Sequence, residues 1–186
     1  NHYTWRKLDV ATMAFGYGIS VTTLQLAQAY AAIADDGNLQ PLSLILRHHL
    51  VAPRHVLPEA VARKIIMMMR SVVEKGGTGT RADVKGYTVA GKTGTAYIAD
   101  KNGYNKKKYM ASFVGIAPAT HPILVVAVTI RDPKKHHFGG VVAAPVFAKV
   151  MSGALRILNI APDALDNNQS SQSATMVSLP KNTRHH

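Results

Sequence analysis

GYTVAGKTGTA, residues 86–96, can be read in two overlapping registers. Gly86–Thr93 fits G-x-x-x-x-G-K-T, the spacing of a glycine-rich loop that wraps phosphate groups. Lys92–Thr95 reads K-T-G-T and, if extended, sets one positive charge beside two hydroxyls. The two readings demand opposite backbones. A phosphate loop is a tight turn opening into a helix whose first N–H groups face the anion. Here Tyr87, Thr88 and Val89 are strand formers where that loop should curl, and Thr93, Gly94 and Thr95 are poor residues for a helix interior. No helical apolar period follows. ILVVAVTIRD (123–132) only loosely imitates the acidic strand that would hold magnesium in a nucleotide-binding domain. Val89–Gly94 is therefore expected to be strand.

On a strand, alternate residues share a face, so Lys92 and Gly94 fall together. Gly94 removes a side chain where a substrate backbone could approach closely. Thr93 and Thr95 offer hydroxyls, Thr95 an edge N–H, and Lys92 a fixed charge for a carboxylate. Three residues of this type recur by chance in many chains, so the flanks must decide.

The 186 residues suffice for one domain with a real core, and a hydrophobic fraction of 47% is ordinary. Lys and Arg number 22 against 10 Asp and Glu, a net charge of +12 that suits anionic partners without choosing among them. The absence of cysteine removes disulfides, thiolate metal sites and cysteine nucleophiles. No signal peptide opens the sequence, and the longest apolar run, Ile123–Ile130, is too short to span a bilayer. Any membrane anchor is expected outside these residues.

Residues 1–21 mix aromatics and glycines, with Phe15-Gly16-Tyr17-Gly18 as a turn-rich segment. Thr22 or Thr23 caps a helix running through Leu24, Leu26, Ala27, Tyr30, Ala31 and Ala34, and Gly37 ends it as a left-handed cap. Residues 38–56 read as irregular, with a short strand near Leu42–Leu46. Pro58 opens a second helix through Val61, Ile65, Met69 and Val72; the row Met67-Met68-Met69 reads as core. Gly76-Gly77 stops it. Three strands follow, Tyr87–Ile98, Tyr109–Ile116 and Ile123–Ile130, and short connections make them antiparallel. Asn102-Gly103 is a turn signal between the first two. The unbroken apolar character of the third predicts burial on both faces. A last helix spans about Ala144–Leu158, with Pro145 in its first turn. Residues 166–186 are polar and serine-rich and read as a disordered tail after a domain of residues 1–165.

The flanks carry the decision. FGYGISVTTLQLAQAYAAIADDG (15–37), GGTGTRADVKGYTVAGKTGTA (76–96), SFVGIAPA (112–119) and GGVVAAPVFAKVMSGALRILNI (139–160) occur in this order and spacing. Together they resemble the C-terminal part of the transpeptidase domain of class B penicillin-binding proteins, most of all the division type of Gram-negative bacteria. The likeness covers residues 5 to about 165. It implies an α+β fold, an antiparallel sheet with helices on both faces, lacking here its N-terminal strands. It also implies a serine D,D-transpeptidase that cross-links peptidoglycan stem peptides during division and is acylated by β-lactams. Its place would be the periplasmic face of the inner membrane, among membrane proteins of the division complex. Lys92 and Thr95 would be the catalytic members. Thr93, Gly94 and Thr95 would bind the carboxylate of a D-alanyl terminus or a β-lactam, and the Thr95 N–H would form half of an oxyanion hole. No cofactor or metal is implied.

Two motifs of that family are missing. No S-x-N occurs, and the one S-x-x-K, Ser178-Leu179-Pro180-Lys181, follows K-T-G and carries proline inside the turn that must align Ser with Lys. The chain is expected to be a fragment whose nucleophile lies in an N-terminal remainder of the same protein. A non-catalytic penicillin-binding relative stays open as the alternative, beside the disfavoured nucleotide-binding domain.

His48-His49, His136-His137 and His185-His186 lack a chelating spacing, because neighbours on a strand point to opposite faces. His136–Gly140 falls where the family has a loop at the active-site rim, and reads as solvated. The lysines of 101–108 read as a solvated hairpin tip. Only Tyr104 and Tyr109 interleave with them, and no recognition-helix pattern of a nucleic-acid binder surrounds them.

Overall fold

A computed structural model describes residues 6–14, 16, 18–45, 51–100 and 103–164. The tail expected at 166–186 lies outside them, as do Phe15, Tyr17, Leu46, Asn102 and two of the three histidine pairs. Among the described residues no helix is long and apolar enough to cross a membrane.

Three strands form the central sheet: β3 (Ala90–Asp100), β4 (Gly103–Ala117) and β5 (Leu124–Arg131), in the order β3-β4-β5 and antiparallel throughout. Residues Ala90, Ile116 and Val125 lie in register across all three. A bulge between Tyr97 and Ile98 shifts the distal half of β3 against β4. β3 begins at Ala90, so Tyr87, Thr88 and Val89, expected within the strand, lie before it. Tyr87 instead bridges Val84 in a tight turn closed by Gly86.

Each face of the sheet has its own core. On one side Phe113, Ala117 and alternate residues of β5, from Leu124 to Ile130, pack against Phe147, Met151 and Leu155 of the last helix, α5 (Ala144–Ile157). Phe113 and Phe147 are fully buried, their ring centroids 4.8 Å apart. On the other side Ala90, Ile116 and Val125 meet α2 (Thr23–Ala34) and α3 (Glu59–Arg70) through Tyr30, Ile33, Ile66 and Met69. The expected α+β architecture with helices on both faces is present. β5, although covered on both faces, is mostly half-buried, because no described strand lies along its outer edge.

Local chemistry explains the helix ends. Thr22 Oγ1 accepts from Gln25 N at 3.1 Å, and Gln25 Oε1 accepts from Thr22 N at 2.9 Å, a reciprocal capping box at the start of α2. Gly37, at φ +90°, turns the chain so that its carbonyl accepts from Val56 N at 2.9 Å. Pro58 is the cap residue of α3 and not its first turn, its carbonyl accepting from Val61 N and Ala62 N.

Further departures from the sequence reading lie in the smaller elements and the methionine row. The strand near Leu42–Leu46 does not form in its described part, residues 42–45. The pairing in this region joins β1 (Asn38–Leu39) to β2 (Arg54–His55), closing the segment into a clasp. A helix not anticipated, α1 (Lys7–Met13), precedes α2 and buries nothing. Of the methionine row only Met69 is core, while Met67 and Met68 are 69% and 65% exposed. A four-residue helix, α4 (Gly139–Val142), precedes α5.

Candidate active site

β3 pairs with β4 on one side, and no described strand lies on the other, so the K-T-G-T segment runs along an edge of the sheet. Lys92, Thr93, Gly94 and Thr95 sit opposite Val114, Phe113, Ser112 and Ala111 in regular register. The strand runs on to Asp100 with no helix at Lys92 or Thr93, so the backbone a phosphate loop requires is absent.

The pleat divides the four residues. Gly91, Thr93 and Thr95 share the face of Phe113. Thr93 Oγ1 lies 3.1 Å from Thr78 Oγ1, on the turn that follows α3. Thr95 Oγ1 accepts from Gly139 N, the first residue of α4, at 3.1 Å. Each threonine hydroxyl is thus oriented by a different distant segment. Both retain hydrogen-bonding capacity, since a hydroxyl carries one donor and two acceptor positions. Lys92 is exposed on the opposite face, and its Nζ turns back to donate to the Thr93 carbonyl at 2.8 Å. In a regular strand the N–H and C=O of every second residue point to the same edge, so this Thr93 carbonyl and the Thr95 N–H share one edge.

A Cβ on Gly94 would meet Ser112 Oγ, the rotatable end of a short side chain, and otherwise only Ser112 Cβ at 3.7 Å and the Ser112 carbonyl oxygen at 4.0 Å. Gly139 and Gly140 are held more strictly, by backbone. A Cβ on Gly139 would lie 2.5 Å from the Gly94 carbonyl oxygen and closer still to that of Ser112. One on Gly140 would run into the Thr78 carbonyl and lie 3.3 Å from the Thr93 methyl. The glycine pair lets α4 sit directly on the strand that carries the motif.

Thr78, Gly139 and Gly140 are the members of the site that the K-T-G-T reading missed. Glycine doublets at 76–77 and 139–140, each beside a helix end, were the available signal. The 136–140 loop is also more structured than a solvated rim. His137 stacks on Tyr109 at 4.2 Å and meets Phe138 at 4.3 Å, and Tyr97 lies 5.0 Å from Tyr109. These rings extend the Thr93–Thr95 face beyond Thr95, with Phe138 59% exposed at the end of the row. Among the described residues no three His, Cys, Asp or Glu side chains gather as a metal-holding group.

The antiparallel sheet covered by helices on both faces is the fold of a penicillin-binding transpeptidase domain. The chain belongs to this family: the model of the penicillin binding protein transpeptidase domain matches residues 1–152. It is 47% identical over 165 residues to the probable peptidoglycan D,D-transpeptidase PenA of Neisseria gonorrhoeae, covering 87% of this chain and 28% of the relative. It is 44% identical over 162 residues to the peptidoglycan D,D-transpeptidase FtsI of Escherichia coli K12, with 87% and 28% covered. The apo transpeptidase domain of penicillin-binding protein 3 from Burkholderia pseudomallei superposes with a TM-score of 0.79 at 45% identity, covering 87% of this chain and 50% of that one. The chain thus spans 28% of the length of those two relatives and half of that domain.

Proposed function

We propose that residues 1–165 are the C-terminal part of a serine D,D-transpeptidase domain that cross-links peptidoglycan stem peptides in cell division and is acylated by β-lactams. The observation that carries this reading is the edge strand β3, with two threonine hydroxyls aligned on one face and the lysine on the other. The Thr93 and Thr95 hydroxyls, held by Thr78 and Gly139, receive the terminal carboxylate of a D-alanyl peptide or the carboxylate of a β-lactam. Lys92 supplies charge to the same region. The peptide lies along the open edge of β3 as an added strand, and the Thr95 N–H on that edge gives one of two donors for the developing oxyanion.

Acyl transfer needs an activated serine. The S-x-x-K at Ser178–Lys181 follows the motif and contains proline, so the nucleophile is assigned to a segment outside this sequence. That serine attacks the carbonyl before the terminal D-alanine, D-alanine leaves with the nucleophile's proton, and the ester passes its acyl group to an amine of a second stem peptide. The proposed reaction carries with it a periplasmic setting at the inner membrane and division-complex partners, because stem peptides of the wall are cross-linked outside that membrane. The test is gel fluorescence with a penicillin probe. The chain alone is expected to take up no label, and the chain joined to the preceding part of its transpeptidase domain is expected to label on serine. A stoichiometric adduct on a serine of the isolated chain overturns the placement of the nucleophile, and an unlabelled joined protein overturns the function.

A further inference from the structure

Beyond α5 the chain does not simply leave the fold. Asn159, at φ +52°, turns it, and Ile160 N donates to Leu155 O at 3.0 Å. Residues 160–164 then run as a strap across the segment that leads into β3. Tyr87 Oη donates to the Ile160 carbonyl at 2.6 Å, Ala164 N donates to the Gly86 carbonyl at 3.1 Å, and Pro162 covers Gly86. At the centre is Asp163. Its Oδ1 accepts from Thr88 N at 2.7 Å, and its Oδ2 accepts from the hydroxyls of both Thr88 and Thr120.

The network fixes the direction of each proton. Thr88 Oγ1 accepts from Ala119 N at 2.9 Å and from Thr120 N at 3.3 Å. Both acceptor positions of that hydroxyl are occupied, so its own proton must go outward, towards an acceptor. A carboxylate is an acceptor only and meets three donors here with two oxygens. An asparagine would bring an NH₂ group against hydroxyls that have to donate. The arrangement calls for aspartate at this position, and bonds of this charge-assisted kind are the stronger ones.

We propose that Asp163 is a positioning residue for the K-T-G-T strand, acting through Thr88. Thr88 stands two residues before β3 begins and four before Lys92, on the order of 13 Å at the rise of an extended chain. Ala119 and Thr120 lie in the turn that joins β4 to β5. Through Thr88 the carboxylate therefore ties the entry of β3 to the end of β4, at the Ala90–Ile116 end of the ladder. With no described strand on its outer side, β3 has its start held laterally by this strap and by β4. Releasing the strap lets the first pairs of the ladder open and loosens the placement of Thr93 and Thr95 against Thr78 and Gly139. The link to acyl transfer rests on the function proposed above, whereas the link to the order of β3 does not.

The test has two arms and three variants: Asp163→Ala, Thr88→Val, which removes the hydroxyl while keeping the shape, and Thr88→Ser, which keeps the hydroxyl. In the first arm, residue-resolved amide hydrogen exchange is measured on the chain. Asp163→Ala and Thr88→Val are expected to speed exchange of the β3 ladder amides between Ala90 and Gly94 by about tenfold or more. Amides of α5 and β5 should stay unchanged, and Thr88→Ser should remain near the parent. An unchanged β3, or equal acceleration throughout the sheet, overturns the proposal. In the second arm, penicillin acylation of the joined protein is followed in time. The acylation rate constant should fall about tenfold in Asp163→Ala and Thr88→Val while prior non-covalent binding changes little, with Thr88→Ser restoring the rate. Parent-like acylation by Asp163→Ala and Thr88→Val overturns the positioning role. A parent that fails to label refutes the functional reading, and the exchange arm still decides whether Asp163 orders the strand.

Discussion

Replacing Gly139 by alanine adds one methyl group where the structure has no room for it. The new carbon would stand 2.5 Å from the Gly94 carbonyl oxygen, about 0.9 Å short of the 3.4 Å at which ordinary contact begins, and nearer still to the Ser112 carbonyl oxygen. Both obstacles are backbone atoms of adjacent strands, so no side-chain rotation relieves them and α4 must lift away from β3. Overpacking of this kind costs roughly 1–3 kcal/mol. The lift also breaks the bond from Gly139 N to Thr95 Oγ1, worth about 1 kcal/mol. For a chain of this length about 2–4 kcal/mol corresponds to a fall in Tm of roughly 5–15 °C. Gly153→Ala is the control. It makes the same chemical change inside α5, where a Cβ meets nothing within 4 Å. There the helical preference of alanine should stabilise by about 0.5–1 kcal/mol. Thermal unfolding of both variants by circular dichroism, beside the parent, gives the comparison. Equal shifts, or a Gly139→Ala protein as stable as the parent, would refute the claim that α4 rests on the motif strand through this glycine.

In the joined protein, Lys92→Ala should slow covalent labelling by a fluorescent penicillin by ~100-fold or more, the scale of losing a major electrostatic donor, and near-normal labelling would remove Lys92 from the site. Phe147→Ala, which empties a fully buried position against Phe113, should cost about 3–5 kcal/mol in denaturant unfolding, and a cost below about 1 kcal/mol would mean the two rings do not anchor the α5 core. Burial pushes the Asp163 carboxyl up, but hydrogen bonds from Thr120 and Thr88 outweigh it and hold the group below the usual carboxylate range. The strap should therefore be fully stabilising above the unfolded-state pKa of aspartate and lose that contribution as pH falls through the lower, folded value, a dependence that Asp163→Asn should flatten.

The parts legible in the sequence share a physical property: their signals are local. The threonine cap of α2, Pro145 at the start of α5 and the β-branched run of β5 each act within a few residues, and each of these elements appears where its signal lies, whereas β4 starts at Gly103, six residues before the strand expected from Tyr109. The misses are of two kinds. β1, β2 and α4 are too short to carry a period of their own: the first two exist by pairing with each other, and α4 by resting its glycines on β3 and β4. The methionine row was a misreading of an available rule. Three consecutive helical residues are spread over about 200°, so one core face cannot take all three. Met69 continues the buried line of Ala62 and Ile66, and its two neighbours must point elsewhere.

The site divides in the same way, and the division bears on how such motifs should be read. Lys92 to Thr95 is recognisable because four adjacent residues carry it. What holds the motif arrives from farther off: Thr78 from 15 residues before Thr93, Gly139 from 44 residues after Thr95, and Asp163 from 75 residues after Thr88. Apart from the glycine doublets at 76–77 and 139–140, none of these three has a local pattern, since a threonine in a turn, a glycine opening a helix and an aspartate after one are ordinary residues. Their common feature is geometric. Each presents a single polar group, or the absence of a side chain, to the motif strand or its lead-in, and that strand has a sheet neighbour on one side only among the described residues. An edge strand left open for a ligand lacks half of the lateral hydrogen bonds that keep an interior strand in place. Contacts from its face and its entry, supplied by remote segments, can replace that order without closing the edge. On this argument the short motif locates the chemistry, while the residues that make the edge strand rigid are found by asking what touches it from outside the sheet.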